Sequence, residues 1–347
     1  MTQDKQQVKQ LTKTLLKKWG VFPLWGFLLL LLSLYPLTGA SGIQLFTVTQ
    51  IFFWVVLASN WNLIGGMTGY LDFGHAVFFG IGAYTMGILV TNTSLAFSPS
   101  LSFWQALPWT GIIATLFALL IGSATLRLKG PYFSIAMLST FAATRELIRI
   151  IRPITGGGSG LDLPPVLNRL GDYYFMLGLM AIVVTLMWWI RRSELGMSLV
   201  AIREDEIGAE MRGIDTTKHK LFAFAVAAFF TGICGAFWAW QNTYIDPDVV
   251  FLQNRNIIMI MMCMLGGLGT VWGPVIGALL LYLLQDVIWS NLAEYHLLVL
   301  GLLLITLILF IPYGILGALN NNSTASLLDI LGIGNKTKPR SQFNNEP

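Results

Sequence analysis

The stretch RRSELGMSLVAIREDEIGAEMRGIDTTKHK, residues 191–220, runs directly into LFAFAVAAFFTGICGAFWAWQN, residues 221–242. The first part carries six basic and six acidic residues, and the second carries no Asp, Glu, Lys or Arg. As a helix the second part rises about 33 Å at 1.5 Å per residue, enough to cross a hydrocarbon core of about 30 Å. A charged connection feeding an uncharged, membrane-length run is the unit from which the rest of the chain is read.

Similar apolar runs recur at about 19–38, 44–64, 73–92, 108–126, 131–151, 173–190, 256–290 and 295–315. Over the 347 residues, 55% are hydrophobic and only 11% charged, against roughly a quarter charged in an average soluble domain. The expected fold class is therefore all-α, a polytopic helical membrane protein with about 8–10 transmembrane helices and glycine-interrupted segments. Gly266, Gly267, Gly269, Gly273 and Pro274 interrupt the run at 256–290, which is too long for one straight crossing, and proline and clustered glycine break a helix. A second break lies at Gly65, Gly66 and Gly69. Interruptions in both halves of a transporter point to a midplane pathway built from repeats. The alternative is that these glycines only permit close helix packing.

Basic residues set the orientation. Lys5, Lys9, Lys13, Lys17 and Lys18 precede the first run, Arg127 and Lys129 follow the fourth, and six more fill 191–220. All three groups share one side if the first six runs each cross once, and by the positive-inside rule that side is the cytoplasm. Lys336, Lys338 and Arg340 belong there too, which requires an even number of crossings. Splitting 256–290 at its glycines gives about ten spans with both termini cytoplasmic. The expected organisation is a basic N-terminal tail at 1–18, a membrane domain at 19–319 containing the 191–220 cytoplasmic loop, and a disordered cytoplasmic tail at 320–347. The start could imitate a secretory signal, but the run from Trp19 to Leu37 is longer than a usual signal core, and an uncleaved first span is expected.

Several function classes are excluded. Cys234 and Cys263 lie in apolar segments, with neither disulfide nor metal-ligand spacing. The net charge of +4 gathers in loops and tails and gives no support for nucleic-acid binding. The glycine run Gly156 to Gly160 is followed by Leu161 and Asp162, not by the Lys and Ser/Thr that complete a phosphate-binding loop. No paired carboxylates, metal site or Ser, His, Asp set marks an enzyme.

Ionisable residues at membrane depth are functional candidates, because each costs about 2.5–3.5 kcal/mol at a helix centre. Asp72 and His75 lie three apart at the first glycine break. They read either as a polar pair at a gate, or as a helix N-cap by Asp72 with a satisfied His75 at the cytoplasmic boundary. Arg145, Glu146, Arg149 and Arg152 form a second cluster, about 21 Å along the helix from Pro131. The loop after it, with Thr155, Gly156, Gly157, Gly158 and Asp162, faces the periplasm in this topology. It reads either as a receiving surface for a soluble protein or as an ordinary capped helix end.

Within 191–220, Ser198 to Gly213 (SLVAIREDEIGAEMRG) has good helix formers and ends at a glycine placed as a stop. Leu199, Ile202 and Glu206 share a face. The loop is either a solvated connection or a docking element for a soluble motor, where mixed charge supplies register.

AIREDEIGAEMRGID (201–215) followed by LFAFAVAAFFTGICGAF resembles the coupling loop of the branched-chain (hydrophobic) amino-acid ABC permease family. GYLDFGHAVFFGIGAYT (69–85), RLKGPYFSIAMLSTFA (127–142) and GGLGTVWGPVIGA (266–278) resemble the same family in the same order. The chain looks more like its LivM-type subunit than the LivH-type partner. The resemblance implies a non-enzymatic importer subunit in the bacterial inner membrane, with alternating access driven from outside the chain. It implies as partners a second, LivH-type permease subunit, two ATP-binding cassette subunits and a periplasmic solute-binding protein, with ATP and Mg held by the ATPase and no cofactor on this chain. By the resemblance, Arg203, Glu204, Asp205, Glu206, Ala209, Glu210 and Gly213 contact the ATPase. Gly66, Asp72, His75, Arg145, Glu146, Gly266, Gly267 and Gly269 are the path or gate candidates, and Arg152, Thr155, Gly156, Gly157 and Gly158 the docking site for the binding protein. A urea or short-chain amide importer permease is the nearest alternative, and a proton-coupled carrier using Asp72 or Glu146 is the alternative from another class.

Overall fold

The computed structural model describes residues 21–91, 101–164 and 168–291, with short pieces at 298–299, 301–302, 305–306 and 314–316. The tails at 1–18 and 320–347 and most of the last apolar run lie outside the described residues.

The described chain is helical almost throughout. In order it forms α1 (Val21–Leu34), α2 (Gly42–Ile64), α3 (Ala76–Val90), α4 (Phe103–Thr125), α5 (Pro131–Ile150), α6 (Arg169–Arg192), α7 (Glu194–Glu204), α8 (Glu206–Met211), α9 (Thr216–Asn242), α10 (Gln253–Gly266) and α11 (Trp272–Asn291). Among the described residues, five helical stretches are long and apolar enough to cross a membrane: Gly42–Ile64, Phe103–Thr125, Arg169–Arg192, Thr216–Asn242 and Pro247–Gly266.

Local chemistry sets the ends. Ser41 and Gln44 form a capping box at α2, and Ser102 and Gln105 do the same at α4, each satisfying two otherwise unpaired backbone donors. The cap at Ser102 starts α4 five residues before the expected 108 and leaves Pro108 inside the helix. Pro131 opens α5 at a first-turn position, where its missing N–H costs nothing. The run at 256–290 splits as expected, between Gly266 and Trp272.

α9 is the central helix, packed on α3, α4 and α2. Its meeting with α3 is made by small residues. A Cβ at Gly82 would overlap the carbonyl of Gly232, and one at Gly235 would overlap the carbonyl of Phe79. Close backbone approach of this kind supplies dispersion contact where lipid gives no hydrophobic drive between helices. Phe78, Phe117 and Phe224 then fill the space alongside with edge-to-face contacts. Beyond the end of α9, Tyr244–Ile245 pairs antiparallel with Leu161–Asp162, tying the loop after α5 to the body.

One expectation is corrected. Residues 198–213 are not a single helix: α7 begins at Glu194, capped by Ser193, and stops at Glu204, and α8 begins after an extended Asp205. The reason is tertiary, because the Glu206 side chain turns inward to partners on α9 and on the 65–75 segment. Gly213 does end the element, with φ +84.

Candidate functional site

Between α2 and α3 the backbone from Gly65 to His75 is not helical, yet all of it except Gly69, Leu71 and Phe73 is buried. Buried irregular backbone survives only where protein satisfies its polar groups, and here side chains do so. Trp61 Nε1 donates to the Asp72 carbonyl at 2.7 Å, Ser134 Oγ to the Leu71 carbonyl at 2.6 Å, and Gln253 Nε2 to the Phe73 carbonyl at 3.2 Å. Ala76 N–H donates to Asn256 Oδ1 at 2.7 Å. None of these partners is evident from the segment itself.

Asp72 and His75 sit within this segment with fully buried side chains. Asp72 Oδ2 lies 3.0 Å from His75 Nδ1, and His75 Nε2 lies 3.0 Å from Thr231 Oγ1. Asp72 Oδ1 accepts from Gly74 N–H at 2.8 Å. The pair therefore spans a turn before α3. Asp72 is not the residue that starts the helix, and no side chain caps it at His75. The arrangement fixes where α3 begins and ties it to α9 through Thr231.

The second break, Gly267 to Val271, meets the first. Asn62 joins them, accepting from Gly269 N–H at 2.9 Å and donating to the Thr270 carbonyl at 2.8 Å. A Cβ at Gly66 would lie 2.5 Å from Gly269 N, and one at Gly269, whose φ is +72, would lie 2.7 Å from the Gly66 carbonyl oxygen. Gly266 and Gly267 close the same hairpin, where a Cβ on Gly266 would overlap the Gly273 carbonyl. Glycine is required at this crossing by space as well as by φ.

The charged loop is seated on these breaks. Arg203 Nη1 donates to the Gly66 carbonyl at 2.8 Å and lies against Gly269. Lys220 Nζ, 2% exposed at the side chain, donates to Glu206 Oε1 at 2.7 Å and to the Leu126 carbonyl at 3.0 Å. Tyr70 Oη donates to Glu206 Oε2 at 2.5 Å and accepts from Lys220 at 3.0 Å. Burial pushes the Glu206 carboxyl up, but the hydrogen bonds from Lys220 and Tyr70 outweigh it and the net shift is downward. The Tyr70 hydroxyl is pushed up, first by burial and then by its bond to Glu206.

The predicted coupling residues therefore divide. Arg203 and Glu206 hold the loop to the membrane body, and Ala209 is buried. Glu204, Asp205 and Glu210 are exposed, with Glu210 also accepting from Thr216 Oγ1 at 3.0 Å. Sequence reasoning favoured charge and missed the apolar part of this surface: Met197, Ile207 and Met211 are 60%, 64% and 85% exposed. The four-residue spacing of Ile207 and Met211, shared by one face of a helix, was the available signal.

Arg145 and Glu146 are not brought to Asp72 and His75. They lie near the other end of α5, where Arg145 and Arg149 both bind Asp248 and Arg149 lies 3.3 Å from Glu146. Asp248, more than 90 positions away, was not anticipated. Of the predicted docking residues, Arg152 and Gly158 are exposed, while Thr155 and Gly157 are buried. Thr155 Oγ1 lies 2.6 Å from the Ile148 carbonyl and 3.2 Å from Gly157 N–H. It builds the loop from inside. Cys234 and Cys263 are free and buried, and the described residues contain no group of three or more His, Cys, Asp or Glu able to hold a metal.

The family model described as branched-chain amino acid transport system / permease component matches residues 43–308. The chain is 27% identical over 322 residues to the high-affinity branched-chain amino acid transport system permease protein LivM of Salmonella typhimurium, covering 83% of this chain and 73% of that protein. It is 24% identical to LivH of the same organism, over 79% of this chain and 96% of LivH. It is 26% identical to the ribose import permease protein RbsC of Haemophilus influenzae, over 54% of this chain and 62% of RbsC. No solved structure matches significantly.

Proposed function

The chain belongs to the branched-chain amino acid transport system / permease component family, and on that premise we propose that it forms one half of the transmembrane path of an importer for branched-chain or other aliphatic amino acids. It is a multi-pass membrane protein, read here as lying in a bacterial inner membrane with both termini cytoplasmic. A second permease subunit completes the path, a periplasmic binding protein delivers the solute, and two separate ATPase subunits bind ATP and Mg and supply the energy. This chain catalyses no reaction.

The observation that carries this reading is the mounting of the α7–α8 loop. Arg203 and Glu206 fasten it to the membrane body, while Ile207 and Met211 project from it uncovered beside the exposed carboxylates of Glu204 and Asp205. Apolar anchors rimmed by charge are what a protein interface needs. The rigid seat transmits a push on α8 to both backbone breaks, and the breaks lie where α2, α3, α10 and α11 meet. Such a lever converts closure of the ATPase pair into a change of helix packing, the physical content of alternating access.

The test is co-expression of the permease pair with its ATPase and purification through the permease. Co-purification that depends on α8 supports the reading, and a permease that never retains an ATPase subunit contradicts it.

A further inference from the structure

A cavity of about 750 Å³ opens between the 68–73 segment, the first turns of α5 and residues 202–206 of the loop. Its volume lies within the roughly 300–1,000 Å³ of small-molecule sites. One wall is apolar, made by Leu71, Phe73, Ile135 and Leu138, and Arg203 and Glu204 bring opposite charges to the loop side. Arg203 Nε lies 4.0 Å from Glu204 Oε1, and with Nη1 on the Gly66 carbonyl the guanidinium keeps donors for a further partner.

α5 supplies a second observation. Its cavity-lining residues Ile135 and Leu138 are exposed, while Arg145 and Arg149 at its far end are paired with Asp248 of this chain. α5 thus brings two uncovered aliphatic side chains, Ile135 and Leu138, to the apolar wall of the cavity.

Building on the permease reading above, we infer that this cavity is the inner chamber of the translocation path, that it takes an aliphatic amino acid as the zwitterion, and that the coupling loop is its wall. The alkyl group rests on Ile135 and Leu138, and the carboxylate and ammonium face Arg203 and Glu204. Because Arg203 to Glu206 are both chamber wall and loop, movement of the loop by the ATPase changes the chamber directly, with no intervening relay.

The test uses the complete importer in proteoliposomes with Ile135→Cys or Leu138→Cys. Both cysteines of this chain are buried, and labelling is read on this chain, with the unsubstituted importer treated in parallel as the baseline for uptake. A membrane-permeant thiol reagent is expected to lower leucine uptake at least tenfold relative to the same variant before labelling. Leucine inside the vesicles is expected to slow labelling at least threefold, and trapping the ATPase closed to change the labelling rate at least fivefold. Labelling that leaves uptake intact, or proceeds at one rate with and without leucine, overturns the inference. If ATP-driven uptake persists in that event, the permease reading stands and only the chamber assignment is lost. Leu138→Trp, which fills the cavity, gives an independent readout: uptake falls at least tenfold while the ATPase still co-purifies, and unchanged uptake overturns the inference.

Discussion

Arg203 donates from Nη1 to the Gly66 carbonyl oxygen at 2.8 Å across 137 positions of sequence, and the same guanidinium lies against Gly269. One side chain of the charged loop thus touches both places where the membrane helices lose their regular backbone. Any displacement of the loop displaces both breaks.

Arg203→Gln keeps a polar side chain but not the charge-assisted bond to the carbonyl, which contributes about 1.5–3 kcal/mol. Leucine uptake is expected to fall at least tenfold while ATPase co-purification stays within twofold of wild type. Parallel loss of both would place Arg203 in the docking surface instead.

Gly269→Ala adds a Cβ against the Arg203 guanidinium and 2.7 Å from the Gly66 carbonyl, at φ +72. The variant is expected to hydrolyse ATP without transporting, measured as hydrolysis per leucine taken up. Gly178→Ala in α6, with nothing within 4 Å, is the control and is expected to be neutral or stabilising by about 1 kcal/mol.

Lys220 and Glu206 form a pair with side chains 2% and 14% exposed. Breaking such a pair by removing one partner costs about 3–5 kcal/mol, so Lys220→Met is expected to free the 193–215 loop to proteolysis. Lys220→Met with Glu206→Gln removes both charges and is expected to recover part of the protection. The pH dependence follows from the lowered carboxyl of Glu206. A lowered carboxyl contributes its full stability above the ordinary glutamate value of about 4.3 and loses it as pH falls through the lowered one. Loop protection is expected to be flat at neutral and mildly acidic pH and to fail only below that range.

Ile207 and Met211 are exposed, so Asp at either position leaves the yield of folded permease unchanged. As interface anchors each is expected to cost about 2 kcal/mol or more, about a thirtyfold loss of ATPase affinity, read by titrating the ATPase onto immobilised permease.

What is legible in the sequence follows from what is local. Apolar run length gives the spans, and the glycines and proline from Gly266 to Pro274 mark the split between α10 and α11. The three-residue spacing of Asp72 and His75 gives their pairing, but the non-helical turn beneath it depends on Trp61 from the preceding helix and on Ser134, Gln253 and Asn256, which lie 63 to 180 positions from the groups they bind. The break at Asp205 is illegible because 198–213 is good helix by propensity and is interrupted only by the pull of Lys220 and Tyr70 on Glu206. Lys220 itself reads as one more loop charge, since no local signal separates a cation turned inward from one turned to water.

A permease worked by ATP through the α7–α8 loop transports only when the ATPase subunits drive that loop. The most direct measurement is leucine uptake by proteoliposomes holding the full complex and its binding protein, with a protonophore present. Uptake is expected to require ATP, to be indifferent to the protonophore, and to be lost with Met211→Asp. Uptake that continues without the ATPase subunits, or that collapses when the proton gradient is discharged, would instead make the chain a carrier that works without ATP.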